Sequence, residues 1–294
     1  MKVTYNQYHN DNNEDIDLIV QANAGNSQAL DSLIKKYQVW IYNIALKMLG
    51  RPEDAEDATQ EILIKMVTHL STFEQKSSFR TWLYRIVANH TLNMKRKAWE
   101  RLNSSFEKHK ALMESLQDTN PTHSPVENLL VEETKIACMT GMLLCLNRKQ
   151  RLVLILSLVC GIDSQQGANI METNPDNFRQ LLSRGRKQLK NFMMDNCGLF
   201  NDDNPCRCSN KTCMAIEKGI VNPKTLQIKV QPYQKIQRFI AKNLPLVDDM
   251  LELNVHNLYQ ELPIMPSPDF SKHIQRIIKN KKINQFIHLT EENG

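Results

Sequence analysis

Apolar residues in this chain recur three and four positions apart over most of its length, a spacing that suits helices and little else. Leu30, Leu33, Ile34, Tyr37, Ile41, Ile44, Ala45 and Met48 form one such stripe, and Ala55, Ala58, Ile62 and Met66 another. Only 9 of 294 residues are glycine, about half the usual share. No alternating strand pattern is longer than TLQIKV, residues 225–230. The pattern predicts an all-α protein.

Punctuation divides the helical pattern. Residues 1–14 are polar and Asn-rich, with little to bury, and are expected to be disordered. A first helical domain is expected over 15–98. In it, a helix over 15–24 stops at Gly25, Asn26 or Ser27 caps the next, and Pro52 opens a third. Periodicity weakens over 99–125, which ends in TNPTHSP and reads as a flexible linker. A second helical domain is expected over 126–195, a Cys-rich segment over 196–219 and a mostly helical extension over 220–294.

The longest apolar run, LVLILSLVCGI at 152–162, is too short to span a bilayer. The polar start MKVTYNQYHNDNNEDID lacks the apolar core of a signal peptide. A cytoplasmic protein with no membrane insertion is expected, its seven cysteines reduced.

Charge is segregated although the net value is only +5. Glu53, Asp54, Glu56, Asp57 and Glu61 crowd one helix start with no Lys or Arg among them. First-turn carboxylates suit the helix dipole, which accounts for Glu53 and Asp54 but not for Glu61, two turns in. Asp54, Asp57 and Glu61 share a face suited to solvent or a partner. Residues 80–99 carry Arg80, Arg85, Lys95, Arg96 and Lys97 with no acid; residues 178–194 carry Arg179, Arg184, Arg186, Lys187 and Lys190, again with none. Basic segments apart from an acidic one suggest partners of opposite sign.

FRTWLYRIVANHTLNMKRK, from Phe79, pairs an aromatic-apolar face with a basic-polar one. Such a helix suits DNA: Arg and Lys anchor phosphates, Asn and His reach base edges, and aromatics stack unpaired bases. Trp82, Ile86 and Val87 are expected inward, while Phe79 fits either core or DNA. GIDSQQGANIMETNPDNFRQLLSRGRKQL has a helix-turn-helix layout, with Asn174 or Asp176 capping the second helix and Pro175 in its first turn. That helix presents Asn177, Arg179, Gln180, Ser183, Arg184 and Lys187 outward, donors suited to a major groove.

In this order the segments resemble a bacterial extracytoplasmic-function sigma factor, the smallest class of RNA polymerase specificity subunit. DAEDATQEILIKMVTHLSTFEQKSSFRTWLYRIVANHTLNMKRK resembles region 2 of that family, and CLNRKQRLVLILSLVCGIDSQQGANIMETNPDNFRQLLSRGRKQL resembles region 4. The resemblance implies that the protein is not an enzyme, needs no cofactor, and has core RNA polymerase and promoter DNA as partners. An anti-sigma factor is a further partner it allows. It further implies that Asp54, Asp57, Gln60 and Glu61 dock on the clamp helices of the polymerase. Ser77, Ser78, Phe79, Arg80, Arg85, Asn89, Asn93 and Arg96 would serve the minus-ten element, with loop 74–78 capturing a flipped base. Asn177, Arg179, Gln180, Ser183, Arg184 and Lys187 would read the minus-thirty-five element. Region 4 departs from the family pattern in three places: Leu146-Asn147 replaces Leu-Pro, Gln166-Gly167-Ala168 replaces Glu-Ile-Ala, and Met171-Glu172 stands where a turn glycine is common.

Cys197, Cys206, Cys208 and Cys213 follow the spacing C-x8-C-x-C-x4-C. Four thiols so close together could hold one tetrahedral zinc, a structural site; partly buried thiols or a redox pair are the alternatives. Cys138, Cys145 and Cys160 lie in apolar helical context and are expected in the core. Two other functions fit parts of the chain. A DNA-binding regulator that never joins polymerase would need the helix-turn-helix but not the acidic helix. A thiol redox or metal sensor would use the cysteine cluster, yet neither a C-x-x-C site nor an activating base is evident.

Overall fold

The computed structural model describes residues 12–96, 98–102, 104–116, 125–223, 259, 262 and 264–279. Residues 1–11, most of TNPTHSP, the whole of TLQIKV and most of the 220–294 extension lie outside them. The described residues form α-helices with no strand, as the periodicity requires. They divide into two compact units.

The first unit holds residues up to Leu46, 51–94 and the tail from Pro266. Its elements are α1 (Asn12–Asn23), most of α2 (Ser27–Leu49), α3 (Pro52–Thr68), a 3-10 turn (Leu70–Thr72), α4 (Phe79–Asn93) and a tail helix, α12 (Ser271–Lys279). Gly25 ends α1 at φ +92°, a conformation natural to glycine. Asn26 then caps α2, its Oδ1 accepting from the amides of Gln28 at 2.9 Å and Ala29 at 3.3 Å. The apolar stripes of α2, α3 and α4 meet in one core that includes Leu33, Ile34, Ile41, Ile62, Leu63, Phe79 and Leu83. At its edge the Tyr37 hydroxyl donates to Asp15 at 2.6 Å, and Lys36 pairs with Asp15 at 2.8 Å. In α12, Ile274 is fully buried while Lys272, His273 and Arg276 face solvent. The Phe270 amide donates to Gln38 Oε1 at 2.9 Å and Gln275 to Asp31 at 3.2 Å, tying the tail to α2.

The second unit holds 47–50 and 95–265. It contains α5 (Ala98–Leu102), α6 (Phe106–Ser115), α7 (Pro125–Cys145), α8 (Arg148–Leu154) continued by a π-turn (Ile155–Val159), α9 (Ser164–Ile170), α10 (Pro175–Asn196) and α11 (Cys208–Glu217). Met139, Leu143, Leu154, Leu158, Leu189, Met193 and Phe200 share one core, so the Cys-rich segment packs with the helices before it rather than apart from them.

The stretch 99–125, expected as a flexible linker, carries α5 and α6. Its weak periodicity misleads because single polar anchors hold these short helices. Glu100 is 1% exposed and accepts from Arg148 at 2.6 and 2.9 Å and from Arg151 at 3.1 Å. Arg151 also donates to the carbonyls of Leu143, Leu144 and Leu146 at 2.8 to 3.0 Å, satisfying the end of α7. Burial would raise the Glu100 carboxyl, but the two guanidiniums outweigh it and hold it below the ordinary carboxylate value. In α6, Phe106 packs its ring 5.0 Å from that of Phe192.

Candidate protein- and nucleic-acid-binding surfaces

The acidic helix α3 begins at Pro52, whose ring fits a first helical turn. Ala55, Ala58, Thr59, Ile62, Leu63 and Met66 are buried along one side. Asp57 and Glu61 are exposed on the other, with Asp54 and Gln60 half-buried at its edges. The four expected docking residues therefore share one surface. Behind it, His90 Nε2 lies 3.6 Å from Glu61 Oε2, and Lys65 Nζ lies 3.1 Å from His90 Nδ1. Burial, then the Lys65 ammonium, lowers the His90 pKa against the pull of Glu61. The imidazole is neutral near pH 7, so no imidazolium offsets the Glu61 carboxylate from behind.

Helix α4 is capped by Ser78, whose Oγ accepts from the Thr81 amide at 3.2 Å. Before the cap, Gln75 takes φ +57°, a left-handed conformation costly for a side-chain-bearing residue. The loop leads into an aromatic cluster. Phe79 stacks on Trp82 with centroids 5.3 Å apart and meets Phe73 at 5.4 Å and Tyr37 at 5.3 Å. Phe79 is 0% exposed, which removes it from the surface residues expected to touch DNA. The reason lies in its spacing: Phe79, Leu83 and Val87 repeat every four residues on the buried side. Trp82, expected inward, is half-buried at the cluster's rim and is the ring the surface offers instead. Ile86 is likewise only half-buried. Arg80 folds back on the unit: its Nη2 donates to Tyr84 Oη at 2.7 Å, and its guanidinium lies 5.1 Å from the Tyr84 ring centroid and 5.9 Å from that of Trp40. Arg85 is half-buried, and Asn89, Asn93 and Arg96 are exposed. Arg85, Asn89 and Asn93 fall at i, i+4 and i+8, one line along the helix. Ser77 is half-buried and Ser78 exposed, the latter one helical turn before Trp82.

The helix-turn-helix forms as expected. Asp163 caps α9, accepting from the amides of Gln165 and Gln166, both at 2.8 Å. Asn174 caps α10, accepting from the Asn177 amide at 2.7 Å. Asn177, Arg179, Gln180, Ser183, Arg184 and Lys187 all lie on α10, and Arg179, Gln180, Arg184 and Lys187 carry its exposed face. Arg179 donates to Ser164 Oγ at 3.2 Å and pairs with Asp176, so its charge is partly met. Each departure from the family pattern has a local physical account. Asn147 sits at φ −62°, which proline also imposes, and its side chain caps α8 by accepting from the Gln150 amide at 2.9 Å. Gly167 makes room for the fully buried Phe178, whose ring atoms would lie 2.3 Å from a Cβ there. Glu172 takes φ +52° in the turn, where a glycine would be unstrained.

The cysteines do not assemble as expected. Cys197 ends α10 and forms a β-bridge with Cys206, the Gly198 amide donating to the Cys206 carbonyl at 3.2 Å. The intervening loop does fold back, held by Arg207 on the Asp202 carbonyl at 2.8 Å and Asn204 on the Met194 carbonyl at 2.8 Å. Cys213, however, is exposed on α11 with its sulfur 3.9 Å from Glu217 Oε1. Among the described residues no three His, Cys, Asp or Glu stand at metal-holding distance. Burial raises the Cys138 and Cys197 thiols and pushes Cys208 up to about 12.

Residues 33–101 match sigma-70 region 2, and residues 136–189 match sigma-70 region 4. The first match spans the acidic helix and α4; the second spans the helix-turn-helix. The chain is 35% identical over 79 residues to the ECF RNA polymerase sigma factor SigW of Bacillus subtilis, covering 27% of this chain and 42% of that one. It is 25% identical over 167 residues to SigE of Mycolicibacterium smegmatis, covering 55% and 61%. It is 27% identical over 183 residues to the sigma-E factor of Escherichia coli K12, covering 59% and 91%. The chain thus spans less than half of the first relative's length and about three fifths of the second. No helix among the described residues is long and apolar enough to cross a membrane.

Proposed function

We propose that this chain, which belongs to the extracytoplasmic-function sigma factors, binds core RNA polymerase, brings it to specific promoters and helps to open them. Helix α3 is the docking element, through Asp54, Asp57, Gln60 and Glu61. Phosphates repel carboxylates, so this face suits a basic protein surface and not DNA. Helix α4 and loop 74–78 serve the minus-ten element. Arg85, Asn89, Asn93 and Arg96 line the strand, and the Trp82 ring offers a stacking surface to an unpaired base. Helix α10 holds the duplex upstream by phosphate and major-groove contacts. The polymerase performs the chemistry, in the cytoplasm where it works.

The observation that carries this reading is the pairing in one chain of an exposed acidic face on α3 with exposed base-reading and basic faces on α4 and α10. A repressor or activator acting alone would need only the last of these. Transcription in vitro with core polymerase and a genomic fragment library tests it. Promoter-specific transcripts that depend on the protein are expected. Duplex binding without any transcript, and without co-elution with core, would leave the helix-turn-helix regulator instead.

A further inference from the structure

His90, on α4, is 8% exposed and turns both ring nitrogens toward the acidic helix α3. Nδ1 lies 3.1 Å from Lys65 Nζ. An ammonium has three donors and no acceptor, so Nδ1 must accept. A neutral imidazole whose Nδ1 accepts carries its proton on Nε2. Burial, then the Lys65 ammonium, disfavours a second proton on the ring against the pull of Glu61. Nε2 is therefore a donor, and it is buried without a hydrogen-bond partner. A buried donor is costly to leave unmet. The acceptor it faces is Glu61 Oε2 at 3.6 Å, just beyond hydrogen-bond length. The Glu61 side chain is 62% exposed, so a small rotation closes that gap.

We propose, given the docking role of Glu61 put forward above, that His90 is a positioning residue: its Nε2–H holds the Glu61 carboxylate in the orientation that a basic partner surface meets, and Lys65 sets the tautomer that makes this possible. A free glutamate on a docking face must freeze its side-chain torsions on binding, which lowers affinity. A bond from a buried donor freezes them beforehand. It uses one acceptor position of one carboxylate oxygen and leaves the others for the partner. A neutral donor suits this role better than an imidazolium, because it orients the carboxylate without cancelling its charge. Glu61 and Lys65 also stand four residues apart on α3, a spacing at which they would pair with each other. The His90 ring engages the ammonium through Nδ1 and leaves the carboxylate to Nε2.

Two measurements on the full chain test this. In nuclear magnetic resonance spectra of nitrogen-15-labelled protein, the His90 ring should be neutral at pH 7 with its proton on Nε2. Lys65→Met should raise the pH at which that ring takes a second proton, because the ammonium no longer opposes it. A proton on Nδ1, an imidazolium at pH 7, or no shift in Lys65→Met would overturn the proposal. Affinity for core RNA polymerase is then read in a double-mutant cycle of His90→Phe and Glu61→Ala. His90→Phe alone should weaken binding by about 3- to 10-fold. In the Glu61→Ala background it should change nothing further. An equal loss in both backgrounds would show that His90 acts through packing only, and would overturn the proposal with the docking face intact. Should His90→Phe fold poorly, the tautomer in the wild-type chain decides. A wild-type chain that does not bind core at all would break the docking reading itself, and the proposal with it.

Discussion

Helices α4 and α10 both carry the residue types that DNA recognition uses, but their folds commit those residues differently. On α4, Phe79 is fully buried and Arg80 is bonded to Tyr84. On α10, none of the six expected DNA-facing residues is buried. Helix α4 is thus a shaped surface built into a core, suited to capturing bases already unstacked. Helix α10 is a projecting edge suited to an intact groove. Substitutions in the buried side of α4 should therefore disturb folding and those on its exposed line opening, whereas those on α10 should disturb duplex binding, and opening only through it.

Phe79→Ala should show the largest effect. Removing a buried aromatic costs about 3 to 5 kcal/mol, and here the rings of Phe73, Trp82 and Tyr37 each lose a partner. Arg184→Ala, exposed on α10, should change stability by less than about 0.5 kcal/mol. Urea unfolding of the two variants measures the contrast directly; equal midpoints would erase it. Docking comes next in size. Asp57→Lys with Glu61→Lys should weaken binding to core polymerase with unchanged helical content, because like charges would face a basic surface. Unaltered affinity would move the docking face elsewhere.

Changing Arg179, Arg184 and Lys187 to Ala should flatten the salt dependence of duplex binding by about one unit of logarithmic slope for each phosphate no longer neutralised. Arg179 should contribute least because Asp176 already meets its charge. One small effect should be a gain. Glu172→Gly relieves a left-handed residue, worth about 1 to 2 kcal/mol, less the entropy that glycine forfeits, and should raise stability by up to about 1 kcal/mol. A drop in the thermal midpoint would mean that the turn depends on the Glu172 side chain.

The acid response tests the Glu100 anchor of the second unit. Glu100 is held below its unfolded value, so its contribution is fully present above the unfolded pKa of about 4.3 and is lost as pH falls through the lower folded value. Below that pH, Glu100→Gln should cost no more than wild type already loses. Circular dichroism across an acid titration should show the two curves converge; a constant gap would disprove the linkage.

Helix order, caps and the helix-turn-helix can be read from the sequence because local rules set them: Gly25, Pro52, Asn174 and Pro175 act within one turn of themselves. Helices α5 and α6 cannot, since Glu100 finds its partners Arg148 and Arg151 about 50 residues along the chain. Phe79, which fitted either core or DNA, takes the core, and Trp82, expected inward, is only half-buried at the rim. They sit three residues apart, and only the four-residue repeat through Leu83 and Val87 separates them.

Permanganate reactivity of promoter thymines, with core polymerase and a promoter recovered from the genomic screen, tests the central claim most directly. Wild type should make the minus-ten thymines reactive. Arg85→Ala with Asn89→Ala should leave them unreactive while duplex binding persists, and Arg184→Ala with Lys187→Ala should lower binding and reactivity together. Undiminished reactivity in the α4 variant, or no reactive thymine with the wild-type protein, would contradict the account.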